Sequence, residues 1–270
     1  MAFLQYLLPQ HFLSRLMFRF SRIEKTWVKN NFTRWFVKQY QVDLSEAEIE
    51  NIGDFIHFND FFTRALKPSL RPISESEIIS PVDGVVSQAG KINDSQIVQA
   101  KGRQYSVSSL VDDTPSKEIQ NGSFATIYLS PKDYHRIHMP CDGTLISMKY
   151  IPGDLFSVNQ NTVTSIDGVF ARNERLVCLF ETNFGVMVFV LVGAIFVGSM
   201  QTSWEGLITP PYSKAVKNYD YKDHQIKLLK GEELGRFNMG STVIMLMPEG
   251  SSEINLEVGQ ALKMGQSVAG

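Results

Sequence analysis

The sequence has little cysteine: Cys141 and Cys178 are the only two among 270 residues. Two are too few for the disulfide framework of a small secreted domain or for a zinc site made of cysteines, and they favour a reduced, cytosol-facing location. The glycine-rich motifs that bind nucleotide phosphates are absent. The composition, 43% hydrophobic and 20% charged, excludes a disordered or collagen-like chain and is typical of a globular protein.

The sequence also lacks an apolar run of the length that crosses a bilayer. The run FGVMVFVLVGAIFVG at 184–198 has 15 residues, whereas a spanning helix needs about 20. Its three glycines and alternating valines instead predict one or two fully buried strands, with Gly193 at a bend or bulge. We therefore expect a protein that is peripheral to membranes and not integral.

The formal net charge of −2 shows little excess of either sign, but the charge is unevenly distributed. Residues 1–40 hold seven Lys or Arg and one acid, a net charge of +6. The other 230 residues hold 19 bases and 27 acids, a net charge of −8. Such a division often marks a segment that binds a charged surface, and we call residues 1–40 the basic arm.

Apolar residues in the basic arm recur at helical spacing. One set is Leu13, Leu16, Met17 and Phe20, and a second is Val28, Phe32, Trp35 and Phe36. Basic residues beside apolar faces are typical of helices that lie in a membrane interface with anionic headgroups. The same periodicity also suits helices packed on the core of their own protein, so both interpretations stay open.

The remainder of the chain predicts a change of structure near residue 67. A capping box at 45–48 predicts a helix through about Phe58, and the Pro- and Ser-rich segment 67–81 resembles a linker. Short β-like runs separated by turn residues follow, namely 82–86, 96–100, 124–129, 144–150, 175–181 and 243–247. We expect an α+β fold, with N-terminal amphipathic helices (1–66) followed by a mainly antiparallel sandwich- or barrel-like catalytic body (67–270).

Two of the five histidines lie close together in the segment Tyr134–Pro140. His135 and His138 would converge in a turn, which Pro140 favours, and would point to opposite faces of a strand. Such a pair could bind a metal with a carboxylate, act in acid–base catalysis, or be structural. Asp83 lies in a Pro-Val-Asp-Gly turn before a strand, and 235–242 resembles another turn before a strand.

Several motifs together carry a resemblance to a known family. They are SPVDG (80–84), KDYHRIHMP (132–140), PGDLFSVN (152–159), FARNER (170–175) and GRFNMGST (235–242). In this order and at these separations they resemble the phosphatidylserine decarboxylases of the bacterial membrane-associated type. The resemblance covers essentially the whole chain, including FNDFFTR at 58–64. One difference is Met239, where the family usually has leucine; the two side chains have similar volume and polarity.

The resemblance implies an activity and a cofactor. Decarboxylation at an amino-acid α-carbon requires an electron sink, which ordinary side chains cannot provide. In the family the sink is a pyruvoyl group, which the chain makes from the residue that corresponds to Ser241, after self-cleavage at Gly240–Ser241. The substrate forms a Schiff base with this group, and phosphatidylserine becomes phosphatidylethanolamine and CO2. The expected products of cleavage are a beta chain (1–240) and an alpha chain (241–270).

The residues of the self-cleavage step can be assigned by role. A serine hydroxyl needs a base, and that base needs an orienting acid. The family implies Ser241 as nucleophile, His138 as base and Asp83 as orienting acid, and it implies His135 as the proton donor in decarboxylation. Residues of the substrate pocket are expected to be Tyr134, Phe156, Ser157 and Asn159.

The expected partners are phosphatidylserine and an anionic membrane surface bound through residues 1–40, at the cytoplasmic face of the cell membrane. The two chains should form a heterodimer from one precursor, and whether such pairs associate further stays open. No metal, and no nucleic acid partner, is expected. Two alternatives remain: a metal-dependent hydrolase that uses His135, His138 and Asp83, and a non-catalytic lipid-binding domain.

Overall fold

The computed structural model describes residues 2–112, 117–196, 199–239 and 241–269. Gly240, one of the two residues at the expected cleavage site, lies outside the described residues. Short helices occupy the first part of the chain and recur between the strands of the second. The helices are α1 Gln10–Phe20, α2 Thr26–Tyr40, α3 Phe58–Phe62, α4 Val107–Val111, α5 Gln160–Val163 and α6 Val169–Arg172, with 3-10 turns at Ala2–Leu7, Ile52–Asp54 and Lys117–Ile119.

The strands begin at residue 84 and pair mostly with neighbours that run in the opposite direction. They are β1 Gly84–Lys91, β2 Gln96–Ala100, β3 Arg103–Ser106, β4 Ser123–Leu129, β5 Arg136–His138, β6 Gly143–Ile151, β7 Arg175–Thr182, β8 Gly185–Val192, β9 Met200–Thr202, β10 Gly206–Leu207, β11 Lys217–Asp220, β12 Lys227–Leu228, β13 Glu233–Phe237, β14 Ser241–Met247 and β15 Ala261–Leu262. Each expected β-run coincides with a strand to within a few residues. The expected α+β class is confirmed.

The large sheet has nine strands, in the order β11-β6-β7-β8-β14-β4-β1-β15, with β12 pairing beside β11 on β6. A four-stranded sheet, β10-β9-β13-β5, and the hairpin β2-β3 complete the body. The large sheet has two separate edge strands, β11 and β15, so among the described residues it is an open sheet and not a closed barrel. The pairs within these sheets are antiparallel.

The central strands are apolar along their whole length because both faces of the large sheet are covered. In β14, Val243 and Met245 pack into one core cluster, while Ile244 and Leu246 pack into another on the opposite face. β8 alternates between the same two clusters. The prediction of a buried strand within 184–198 is therefore confirmed: it forms β8, and Gly193 follows its last residue.

The prediction of a helix from the capping box at 45–48 to about Phe58 is wrong. The carboxylate of Asp43 accepts the amide of Ser45 at 2.8 Å, and the chain then lies beside residues 65–67, bonding Glu48 N to Ala65 O at 3.0 Å. These contacts use the backbone groups that a helix would need. The helix of this region is α3, and the ring nitrogen of His57 accepts the amide of Asp60 at its start.

α2 and α3 pack together through phenylalanine rings. Phe36 of α2 lies in a third core cluster with Phe58, Phe61 and Phe62 of α3. This packing fixes α3 beside the catalytic body, where it contacts residues near the expected cleavage site. Among the helices of the described residues, none combines the length and apolar character needed to cross a bilayer.

Candidate active site

Three neighbouring strands bring the expected catalytic residues to one end of the large sheet. Ser241 is the first residue of β14 and pairs with Leu129, the last residue of β4. Asp83 directly precedes β1, which lies on the other side of β4. His135 and His138 follow β4 in the chain. Adjacent strands lie about 4.8 Å apart, so Asp83 and Ser241, which are 158 positions apart in sequence, lie at the same end of the sheet about two strand spacings from each other.

Gly84 is needed for β1 to approach β4 at this end. A Cβ atom at position 84 would lie 2.5 Å from the carbonyl oxygen of Tyr128, closer than any real contact. The glycine in the Pro-Val-Asp-Gly turn therefore has a packing role. It sets the position of its neighbour Asp83 relative to β4.

The carboxylate of Asp83 is buried and bound to cations. Arg71 donates to it from Nε at 2.9 Å and from Nη2 at 2.6 Å, and Nη2 also donates to Glu46 at 2.6 Å. Lys263 Nζ lies 3.3 Å from the same carboxylate, which also accepts the amide of Met264 at 2.8 Å. Burial lowers the pKa of Arg71, but the hydrogen bonds that it donates to its two carboxylate partners, with their negative charges, raise it more. Asp83 and Arg71 are thus the buried centre of an ion network whose other members, Glu46 and Lys263, are partly exposed.

His138 has a partner at each ring nitrogen. Nδ1 lies 2.8 Å from the carbonyl oxygen of Gly231, and Nε2 lies 3.0 Å from the hydroxyl of Tyr134. A carbonyl can only accept, so Nδ1 carries the hydrogen and Nε2 accepts from the tyrosine. Burial raises the pKa of Tyr134 to about 12 and lowers that of His138, which keeps both groups neutral at pH 7.

His135 has a partner at one ring nitrogen only. Nδ1 donates to the carbonyl oxygen of Asp133 at 2.8 Å, so Nε2 is the unprotonated nitrogen. Nε2 is buried without a hydrogen-bond partner. The ring lies 4.1 Å from that of Phe62, centroid to centroid, and burial lowers the pKa of His135 to about 3.

The hydroxyl of Ser241 is also without a partner, as are the neighbouring hydroxyls of Thr242 and Thr126. Its Oγ is fully buried and makes no hydrogen bond. A buried polar group without a partner costs about 1–3 kcal/mol, so such atoms are rare and often functional. This end of the sheet therefore combines an unpartnered serine hydroxyl with an unpartnered imidazole nitrogen.

The side chains expected to form a relay are not hydrogen-bonded to one another. Among the described residues, Asp83 bonds to Arg71 and Lys263, while His138 bonds to Gly231 and Tyr134. The segments themselves are joined, because His138 N donates to Pro81 O at 2.8 Å. The assignment of Asp83, His138 and Ser241 as orienting acid, base and nucleophile stays a prediction.

An open cavity of about 450 Å³ lies next to this site. Its lining residues are Phe36, Tyr40, Phe62, Tyr128, Pro131, Ser157, Val158, Asn159, Ala194, Ile195, Phe196 and Met239. Two of the four expected pocket residues, Ser157 and Asn159, line it. Of the other two, Tyr134 bonds to His138, and Phe156 lines a separate cavity of about 320 Å³ beside Tyr6.

The sequence reasoning missed the residues that hold the expected catalytic groups. Arg71 lies in the segment interpreted as a linker, and Gly231 acts through its backbone, which leaves no side-chain signal. Phe62 belongs to the FNDFFTR segment, which was recognised but given no role. The burial of Asp83, which calls for a cationic partner, is itself a result of the fold.

The ligands suggested for a metal hydrolase do not form a metal site. The nitrogen atoms of His138 are engaged by Gly231 and Tyr134, and the carboxylate of Asp83 is engaged by cations. In the described parts of the chain, no three His, Cys, Asp or Glu side chains are grouped so as to hold a metal ion. The metal-dependent alternative gains no support.

Comparison with known proteins gives matches over nearly the whole chain. Residues 58–270 match the family model described as Phosphatidylserine decarboxylase, and residues 2–41 match a second model, described as PSD. The Phosphatidylserine decarboxylase proenzyme of Pseudomonas putida is 50% identical over 276 residues, 98% of this chain and 95% of its own. Proteins of the same name from a Polaromonas species and from Methylobacillus flagellatus are 48% and 47% identical, over 98% of this chain and 96% and 97% of theirs.

Proposed function

This chain belongs to the phosphatidylserine decarboxylase family, and we propose that it is a self-processing enzyme that converts phosphatidylserine to phosphatidylethanolamine and CO2. One observation carries the proposal furthest. Ser241 begins a central strand with a buried, unpartnered hydroxyl, two residues after Met239, which lines the cavity together with Phe62, the ring that contacts His135. Neither the metal-dependent hydrolase nor the non-catalytic domain accounts for this arrangement.

Self-cleavage would begin with attack of Ser241 Oγ on the carbonyl carbon of Gly240. The carbon–nitrogen bond breaks and the peptide becomes an ester, with the hydroxyl proton passing through His138 to the new amine. Loss of the α-proton of Ser241 then breaks the bond between Oγ and Cβ. The beta chain leaves as a carboxylate, and the dehydroalanine left on the alpha chain reacts with one water and releases ammonia. A pyruvoyl group remains at the start of β14.

The residues at this position fit such a group. The backbone of residue 241 is fixed by pairing with Leu129, and the neighbouring cavity has room for a headgroup. A pyruvoyl carbonyl supplies an electrophile for the substrate amine and a sink for the electrons that the departing CO2 leaves.

His135 is suited to move a proton near residue 241. Its ring is fixed by the bond to Asp133 O and by contact with Phe62, which also lines the cavity. Burial lowers its pKa to about 3, so the ring is neutral at pH 7, and Nε2 would take up a proton from water before it passes that proton on. We assign His135 the protonation of the substrate α-carbon after CO2 has left.

The basic arm supports a role at a membrane surface. Apart from Phe36, the side chains that its helices bury are polar, and several large apolar ones are exposed, unlike in helices packed only on a core. α1 buries Gln10 and Ser14, and α2 buries Lys29, whose Nζ donates to Gly53 O at 2.8 Å. The exposed apolar side chains include Leu7, Phe12, Leu16, Trp27 and Trp35, with Trp27 74% exposed. Interfacial helices present such faces to lipid, and each nearby base adds up to about 1 kcal/mol on an anionic surface.

The cavity and the arm share a border. Tyr40 at the end of α2 and Phe196 both line the cavity and are both exposed. The hydroxyl of Ser14 in α1 accepts the amide of Phe196 at 3.1 Å. A lipid entering from a bilayer bound by the arm would therefore reach the cavity without leaving the interface. We place the enzyme at the cytoplasmic face of the cell membrane as a peripheral protein, in accord with its two free cysteines.

An intact-mass measurement of the purified protein tests the proposal. Cleavage between Gly240 and Ser241 should give two chains, the smaller one blocked at its N-terminus and lighter than the hydrolytic fragment by one ammonia. The purified pair should release CO2 from phosphatidylserine in mixed micelles. A single uncut chain without decarboxylase activity would refute the proposed function.

A further inference from the structure

Asn238 lies two residues before the expected scissile bond and is bound on three sides. Its amide donates to Ser199 O at 3.0 Å, and its side-chain Nδ2 donates to Ser199 Oγ at 2.7 Å. Its carbonyl oxygen accepts Nδ2 of Asn59 at 3.1 Å. All three residues are buried. The contacts join segments that are 179 positions apart in sequence, between Asn59 and Asn238.

The amide of Asn59 comes from a rigid position. Asn59 lies in α3, where its backbone N donates to Ser21 O at 2.9 Å and its carbonyl oxygen accepts both the amide and the hydroxyl of Thr63, at 2.9 and 3.0 Å. The phenylalanines of α3 pack in the third core cluster. The same short helix carries Phe62, which contacts the ring of His135. One element therefore fixes both the segment to be cut and a catalytic histidine.

The scissile bond lies between two fixed points. On one side is Asn238, and on the other is Ser241, whose backbone pairs with Leu129 at the start of β14. Attack of a hydroxyl on the preceding carbonyl requires the two groups to meet at about 3–3.5 Å in a defined direction, and errors near 1 Å cost about a hundredfold in rate. Holding Asn238 restricts the conformations open to the short segment that leads from it to the scissile bond.

We propose that Asn59, with Ser199, is a positioning residue for self-cleavage, which directs the carbonyl of Gly240 toward Ser241 Oγ through its bond to Asn238. The inference rests on the proposed function. It predicts an effect on the rate of cleavage that is separate from any effect on folding. Once the bond is cut, the alignment of residue 240 no longer matters, so decarboxylation should be little affected.

The test uses the full-length chain made by timed cell-free synthesis, with mass spectrometry of the precursor and its products. Asn59→Asp keeps the shape of the side chain but replaces the donor with an oxygen that faces the Asn238 carbonyl, and Asn59→Ala removes it. Ser199→Ala removes the acceptor for Asn238, and Ser199→Thr restores a hydroxyl. Gln99→Glu is the matched control, because Gln99 is also buried and donates to two carbonyls, Val163 O and Ile166 O, both at 2.7 Å.

Both Asn59 variants should cleave at least tenfold more slowly than the parent, and Ser199→Thr should cleave faster than Ser199→Ala. The midpoint of the pH–rate profile should stay unchanged, because the base is intact, and fully processed material should keep kcat/KM within threefold. Gln99→Glu should cleave at the parental rate even if its Tm falls as far as that of the Asn59 variants. The inference would be overturned if the Asn59 variants cleave at the parental rate. It would also be overturned if they are slowed no more than Gln99→Glu is when the two have the same Tm. A parent that does not cleave would refute the proposed function as well.

Discussion

The hydroxyl of Tyr134 lies 3.0 Å from Nε2 of His138, the nitrogen that must take the proton of Ser241 if His138 is the base of self-cleavage. The other ring nitrogen donates to Gly231 O at 2.8 Å. The two bonds fix the tautomer and the rotation of the ring before the serine is engaged. The bond from Tyr134 also stabilises the neutral form, because a donor at Nε2 is compatible only with an unprotonated nitrogen, whereas the bond to Gly231 O raises the pKa of His138.

Tyr134→Phe should shift the pH dependence of self-cleavage. Burial keeps the pKa of His138 below its usual 6.5, so the parental rate should be at its plateau at pH 7 and fall at a midpoint below 6.5. Loss of the hydroxyl removes a bond worth about 0.5–1.5 kcal/mol to the neutral ring, so the midpoint should rise by up to about one pH unit. Cleavage followed by mass spectrometry from pH 4.5 to 8 gives the midpoint, and an unchanged value would show that the bond does not stabilise neutral His138.

The two histidines should fail at different steps. His138→Gln should block self-cleavage, because Ser241 loses its base. His135→Gln should still cleave but decarboxylate slowly, by about 10²–10⁴-fold, the usual contribution of a general acid. Gel analysis of the chains and release of labelled CO2 separate the two reactions. Parental decarboxylation by His135→Gln would remove His135 from the mechanism, and normal processing by His138→Gln would refute the relay.

Asp83→Asn should lower the free energy of unfolding by about 3–5 kcal/mol, because it leaves the buried guanidinium of Arg71 with too little negative charge. The comparison belongs in an uncleaved Ser241→Ala background, where urea unfolding reports one chain. The control is Glu50→Gln, which breaks an exposed ion pair with Lys67, at 58% and 42% side-chain exposure, and should cost less than about 1 kcal/mol. Equal losses in the two variants would show that Asp83 is not a buried structural charge.

The stability of the uncleaved precursor should decrease in acid partly through His135. Its pKa is lowered from 6.5 to about 3, so between these values the unfolded chain binds a proton that the folded chain does not. Stability is then fully present above pH 6.5 and is lost as the pH falls, by up to about 1.4 kcal/mol per pH unit for one group. Urea titrations of Ser241→Ala at several pH values give the free energy of unfolding as a function of pH. This free energy should fall less steeply in acid when His135→Gln is added. Identical slopes would mean that His135 titrates alike in both states.

Trp27→Ser should weaken binding to vesicles of phosphatidylglycerol and phosphatidylcholine by about tenfold, because an exposed ring is withdrawn from the interface. Val258→Ser removes an apolar side chain outside the arm that is 60% exposed, and it should bind as the parent does. Sedimentation with vesicles at low and high salt measures both. If the two variants bind equally well, the outer face of the arm does not contact lipid.

Local pattern predicted much of the fold. The apolar runs at 124–129, 175–181 and 243–247 became strands because a strand buried on both faces must be apolar throughout. The helix predicted from the capping box at 45–48 does not form, because Asp43 binds the amide of Ser45 and Ala65 O binds that of Glu48. The second partner is too distant in sequence to be inferred from the local pattern.

The candidate site was predicted through the resemblance, and its geometry was not. The resemblance predicted Ser241 and His135 as site residues. It did not predict that Ser241 Oγ and His135 Nε2 are buried without a hydrogen-bond partner, because this depends on the packing around them. The ion pair of Asp83 with Arg71 crosses a segment whose composition indicated only a linker. Backbone groups such as Gly231 O contribute to the site without any side-chain signal.

The position of β14 affects how the cleaved protein dissociates and refolds. The strand lies between β8 and β4, and every one of its residues is buried. A cut before Ser241 severs the chain but leaves these neighbours in place, so the processed pair should be nearly as hard to separate as the precursor is to unfold. Refolding is different, because a separated alpha chain must bind between β8 and β4 as an independent molecule. Refolding after denaturation should therefore depend on concentration for the processed enzyme, and not for the precursor.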